Sequence, residues 1–144
     1  MEAVVKHIVE AYKILGEAKV SKLEEADVIK VLKARKAMRP IAEEFEAFLK
    51  DAQEKFKPEN WNEIQEKVAQ WQKEGEKTTL SEEERIEINN ALIGYQSAIN
   101  KAVNEELGKK VEIGVEKLSE GSDVKLMSAN DWTPNQLDAL DMIL

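Results

Sequence analysis

The stretch Leu23 to Phe56, LEEADVIKVLKARKAMRPIAEEFEAFLKDAQEKF, limits what this chain can become more than any other part of it. Read as one helix, it spans about 50 Å at 1.5 Å per residue. Its apolar residues fall into heptad rows: Val31, Met38, Phe45 and Ala52 in one, Ala34, Ile41 and Phe48 in the next, and Val28, Ala42, Leu49 and Phe56 in a third. Three adjacent rows form an apolar face broader than a two-stranded seam requires. Such a face needs several helices to cover it, and most of the remaining chain also reads as helix. The expected fold is therefore a mainly α bundle, a single domain over residues 1–144. One long kinked helix over about 22–56 pairs antiparallel with a second long helix over about 82–107. A short β element near 111–116 and a C-terminal capping helix over 134–143 complete it.

The order of elements follows from local signals. Residues 2–15 read as an amphipathic helix, with Val4, Val5, Ile8, Val9, Tyr12 and Leu15 at three- and four-residue steps and Gly16 as its stop. Ser21 is expected to open the long helix as its N-cap, with Glu24 completing a capping box. Pro40 opposes a continuous helix, because it removes one amide and crowds the preceding turn at about 3 kcal/mol. The heptad rows keep their phase across it, which favours a kinked helix over two separate ones. Pro58 ends this element, and Asn60 with Glu63 is expected to cap a helix carrying Trp61, Ile64, Val68 and Trp71, closed by Gly75. Ser81 with Glu84 repeats the capping box at the head of the second long helix, which buries Ile88, Leu92, Tyr95, Ile99, Ala102 and Val103. After Gly108 the period changes to two: Val111, Ile113 and Val115 alternate with Glu112, Gly114 and Glu116, a strand signal. That strand needs a partner, either the connector around Lys19 and Val20, another protomer, or another protein. Residues 122–128 read as a short helix with Leu126 and Met127 inward. Thr133, Pro134 and Gln136 form a well-made start for the last one, whose apolar face is Leu137, Leu140, Ile143 and Leu144.

Charge is unevenly spread. The net of −8 divides into +1 over residues 1–57 and −9 over residues 58–144, which disfavours nonspecific nucleic-acid binding by the whole domain. The absence of cysteine excludes disulfides, thiolate metal sites and thiol catalysis. No secretory signal is recognisable at the N-terminus and no apolar run approaches the 18 or so residues of a membrane span, so a soluble, cytoplasmic protein with no membrane association is expected.

Side chains that could carry chemistry are few. His7, the single histidine, stands beside the apolar row of the first helix with no nucleophile or orienting carboxylate in sight. Glu43, Glu44 and Glu46, and Glu82 to Glu84, sit on polar helix faces without a Glu-x-x-His or calcium-loop pattern. No nucleophile elbow, phosphate loop or dinucleotide fingerprint occurs. Neither a cofactor nor a metal site is expected.

The one local charge anomaly is Lys30, Lys33, Arg35, Lys36 and Arg39, a stretch with no acid between Val28 and Pro40. These residues either line the solvent side and pair with acids of the second long helix, or meet a protein partner or a phosphate backbone. Arg35 shares a heptad row with Ala42 and Leu49, so it either snorkels from the edge of the apolar face or is held by a buried acid. Trp61 and Trp71 read as core. Trp132, in the polar turn from Ser128 to Thr133, either plugs the end of the bundle or anchors a partner.

The C-terminal segment NEELGKKVEIGVEKLSEGSDVKLMSANDWTPNQLDALDMIL resembles the end of a loose family of short phage-encoded proteins of unknown function. Their order is similar: a helix, a V-E-I-like strand, a Ser-Asp turn, and a Thr-Pro or Ser-Pro capped helix ending Ala-Leu-x-x-Ile. Residues 19–56 are similar to their long basic-then-acidic helix, whereas the helix around Trp61 to Trp71 is an addition. The resemblance implies a phage or prophage setting, host cytoplasm or virion, and no catalytic residues.

The expected function is a non-enzymatic protein-interaction or assembly factor, through a protein partner or self-association. The candidate contacts are Lys30, Lys33, Arg35, Lys36, Arg39, Trp132, Val111, Ile113 and Val115. The alternative is a nucleic-acid accessory protein using the basic run, and an unrecognised hydrolase stands behind both.

Overall fold

The structure is a computed structural model that describes all residues 1–144. It is mainly α: β1 (Glu2–Val4), α1 (Val5–Gly16), α2 (Glu25–Lys55), α3 (Trp61–Glu74), α4 (Glu82–Leu107), β2 (Lys110–Glu112), α5 (Ser122–Asn130) and α6 (Pro134–Asp141), with one 3-10 turn at Gly75–Lys77. No helix is long and apolar enough to cross a membrane. Contacts gather the chain into two compact units, one made of Met1–Phe48 and Glu105–Leu144, the other of Leu49–Asn104. The second is one continuous stretch of chain, whereas the first is assembled from both ends. The long helices α2 and α4 each contribute to both units.

The terminal unit has the larger core. Ile8, Ala11 and Leu15 of α1 meet Val31, Ala34 and Met38 of α2, together with Ala3, Ile113, Leu126, Leu140 and Ile143. Ile8 and Met38 are fully buried, and burying a side chain of that size contributes roughly 1.5–3 kcal/mol. The expected apolar rows of α2 supply these contacts, and α2 runs unbroken through Pro40.

Two expectations fail at the start of the chain. Residues 2–4 are a strand rather than the first turn of α1, and they pair antiparallel with β2 in the register Glu2↔Glu112, Ala3↔Val111 and Val4↔Lys110. The partner of the β element is thus neither the Lys19–Val20 connector nor another chain. Ile113 N–H donates to the Met1 carbonyl at 2.8 Å, and Val5 N–H to the Lys109 carbonyl at 2.9 Å. Val4, the residue before α1, makes no side-chain cap. With no cap to offset an extra helical turn, β-branched Val4 and its neighbours satisfy their backbone in the ladder instead. The regular strand ends at Glu112, although the inward alternation of Val111, Ile113 and Val115 continues beyond it.

The second correction concerns the head of α2, which begins at Glu25 rather than at about 22. Ser21 lies in a turn and forms no capping box; the Glu24 carbonyl accepts from the N–H groups of Asp27 and Val28. The connector before it is held by Asn130, whose amide donates to the Lys19 carbonyl at 3.0 Å and whose oxygen accepts from Lys19 N–H at 2.6 Å.

The continuous unit contains a helical hairpin of α3 and α4 with a thinner core: Ile64, Leu80 and Ile88 are buried, and Val68, Trp71, Ala91 and Leu92 pack against them. Asn60 makes no side-chain cap on α3, contrary to expectation, and Gly75 closes the helix at φ 60° as its missing Cβ permits. The capping box of α4 is formed, with Ser81 Oγ accepting from Glu84 N–H at 3.1 Å and Glu84 accepting from Ser81 N–H at 3.3 Å. Where α2 enters this unit, the Tyr95 hydroxyl donates to the Gln53 carbonyl at 3.0 Å. The Tyr95 ring packs against Trp61 in a tilted arrangement, with 4.6 Å between ring centres and 46° between the planes.

Candidate interaction surfaces

The basic run of α2 divides by helical phase. Lys30 folds back along the helix: its ammonium donates to the Lys117 carbonyl at 3.1 Å and lies 3.9 Å from Asp27. Arg35 turns onto α1, its guanidinium 4.6 Å from the centre of the Tyr12 ring. No acid holds it; a cation–π contact takes that place, and its buried Nε has no hydrogen-bond partner. Both residues are structural, leaving three of the five cations outward.

Those three, Lys33, Lys36 and Arg39, are exposed, and none lies within 4 Å of a carboxylate. Pairing with acids of the second long helix is therefore not what occupies them. Two apolar side chains share their side of α2: Ile29 is 45% and Leu32 61% exposed. Ile29, Leu32, Lys33 and Lys36 follow one another at three-, one- and three-residue steps, which places them on one helical face. Sequence reading passed over Ile29 and Leu32 because they fall outside the heptad rows, and that misfit was the available signal.

The other candidates face inward. Ile113 is buried, and Val111, Val115 and Trp132 are half-buried against the core of the terminal unit. Trp132 N–H donates to the Met127 carbonyl at 3.2 Å at the end of α5, where Asp131 takes the left-handed conformation at φ 53°. The tryptophan packs against this core with part of its surface still exposed.

A polar node not visible in the sequence sits beneath the basic run. Asp27, 1% exposed, accepts from the Ser119 N–H and hydroxyl at 3.0 Å each and from the Ser122 hydroxyl at 3.1 Å. The Ser119 backbone N–H is the largest influence and, against the opposing effect of burial, holds the carboxyl below its ordinary value of 3.8; the two hydroxyls and Lys30 act in the same direction. Asp27 joins α2 to the loop that enters α5. Every oxygen contact is consumed within the protein, so this buried acid is explained by structure.

The continuous unit has a surface of different character. Between α3 and α4 lies an apolar cleft of about 330 Å³ lined by Val68, Trp71, Gln72, Gly75, Ile88, Asn89 and Leu92. On the outer side of α4, Ile86 is 53% and Ile93 64% exposed. No three His, Cys, Asp or Glu side chains come together as a metal would require.

Comparison with protein-family models, with curated proteins and with solved structures finds no match to this chain.

Proposed function

We propose that this protein is a non-enzymatic interaction factor that docks a partner protein on the outer face of α2. The observation that carries this reading is the pairing of exposed Ile29 and Leu32 with Lys33, Lys36 and Arg39, three cations with no carboxylate of their own. Apolar side chains supply contact area and the cations select a negatively charged partner, so an acidic amphipathic helix is the complementary shape. The setting we propose with it is phage or prophage accessory work, following the resemblance of the C-terminal segment.

Nucleic acid is the second reading, favoured by the same three unpaired cations. Its weakness is the outward Ile29 and Leu32, which phosphate contacts do not use. Capture on wild-type, Leu32→Glu and Lys33→Glu/Lys36→Glu protein, with and without nuclease, separates the two. A stoichiometric protein that survives nuclease and is lost from Leu32→Glu supports protein docking. Binding that vanishes with nuclease, falls steeply with salt and is lost from Lys33→Glu/Lys36→Glu moves the function to nucleic acid.

A further inference from the structure

The outer face of α4 departs from the rest of the chain in its charge. From Ile88 to Asn100, INNALIGYQSAIN, thirteen consecutive residues carry no charge, although 35% of all residues are charged. Helical spacing at 100° per residue places Ile86, Asn89, Asn90, Ile93, Ser97 and Asn100 on one stripe, all exposed. Ordinary solvated helix faces in this protein carry Lys and Glu. This one carries amides, a hydroxyl and two large aliphatic side chains, with Gly94 beside Ile93. The apolar cleft at Trp71 and Leu92 opens along the flank of the same stripe, because Asn89 belongs to both.

From these observations the geometry points to a second copy of this chain as the occupant. In a two-fold interface the same patch meets itself, so any net charge on the patch faces its own sign. For a chain of net −8 the neutral stripe is the surface on which a copy can approach without like charges in contact. The stripe also carries both halves of a self-complementary fit: a projecting aliphatic side chain, Ile93 at 64% exposure, and a cleft able to receive one. Two α4 helices crossing about a two-fold axis seat Ile93 of each copy against the Trp71–Leu92 cleft of the other. A different partner would have no need of neutrality, and the acidic remainder of the protein would favour a basic complement. The proposal is independent of the α2 surface.

Sedimentation velocity on the full chain tests it from about 10 µM to about 500 µM, a range in which a reversible dimer reveals itself by concentration dependence. Wild type is expected to move from the mass of one chain toward two, and to associate more tightly as salt rises, because screening relieves the repulsion between two chains of −8. Ile93→Glu places a carboxylate against its own copy and is expected to weaken association at least tenfold. Asn90→Glu, an exposed change at which no packing is lost, is the second variant should Ile93→Glu alter the circular dichroism. Leu32→Glu is expected to leave the dimer intact, which keeps failure here distinct from failure of the α2 reading. Wild type remaining monomeric throughout the range, or a dimer unaffected by both α4 variants, overturns the proposal.

Discussion

The two units solve the same problem of covering α2 and α4 with different amounts of material. The terminal unit buries fourteen apolar side chains and the continuous unit five. The former also joins distant parts of the chain by polar contacts, through Asp27 to Ser119 and Ser122, Lys19 to Asn130, and Lys30 to Lys117. The latter has shorter-range polar contacts, such as Lys67 with Glu63 and Glu84 and Gln70 with Thr79, and its longest, from Tyr95 to Gln53, spans 42 residues. A unit with a small core has more stability to gain from a partner. The contrast is one of stability: the terminal unit is secured by its own core and the hairpin is not, although both present exposed aliphatic side chains, Ile29 and Leu32 on the first and Ile86 and Ile93 on the second.

The strongest way to break that contrast is in the cores. Leu126→Ala, at a side chain 1% exposed, is expected to cost about 2–5 kcal/mol in denaturant unfolding. Ile64→Ala should fall toward the lower end of that range, since a cleft already borders its cluster. Equal losses would show the continuous unit to be as tightly built as the other. Hydrogen exchange sharpens the same point: amides of α3 are expected to open at lower free energy than those around Ile8 and Ala11, and uniform protection would erase the distinction.

Acid gives a smaller, signed effect. The pKa of Asp27 is lowered on folding, so its contribution is complete above the ordinary 3.8 and is lost as pH falls through the folded value. Asp27→Asn should lower the Tm near neutrality and flatten the loss of stability below about pH 5. An unchanged acid limb would show that Asp27 is not a stabilising carboxylate. Cap removal follows: Ser81→Ala and Thr133→Ala should each cost about 1 kcal/mol. Thr133→Ala is expected to reach Leu140 and Ile143 in the large core, whereas Ser81→Ala should loosen the hairpin alone, as chemical shifts on α1 would report.

The smallest effect has the opposite sign. Burial, with the charges of Asp123 and Asp138, pushes the Asp141 carboxyl above its ordinary value. Its ionised form therefore disfavours folding at neutral pH, and that penalty disappears as pH falls below the ordinary pKa. Asp141→Asn should raise the Tm slightly at pH 7 and leave it unchanged near pH 3. A lower Tm at pH 7 would contradict the assignment.

How much of this was legible depended on distance along the chain. The starts of α4 and α6 were readable because their caps are local: Ser81 with Glu84, and Thr133 with Gln136, whose reciprocal hydrogen bonds both form. The core face of α2 was readable because Val31, Ala34, Met38 and Ala42 repeat at helical spacing. The strand at Glu2–Val4 was not, since its valines suit a helical stripe equally well and its partner lies more than a hundred residues away. The same holds for Asp27, whose donors are 92 and 95 residues distant. Among the candidate contacts, Lys33, Lys36 and Arg39 were found as a charge anomaly. The aliphatic residues beside them were missed because exposure is a property of the fold, and the inward turn of Arg35 depends on Tyr12 of another helix.

The pairing of β1 with β2 also sets an order of events during synthesis. Val4 emerges from the ribosome long before Lys110, an interval of roughly 5–20 s at about 5–20 residues per second. Through that time the first strand has an open edge, while the α3–α4 hairpin can complete its local contacts as soon as it is made. The residues of β1 thus reach their final neighbours about a hundred residues after they are made. Slow translation between α4 and β2 would lengthen the life of an intermediate in which the hairpin is formed and β1 still waits.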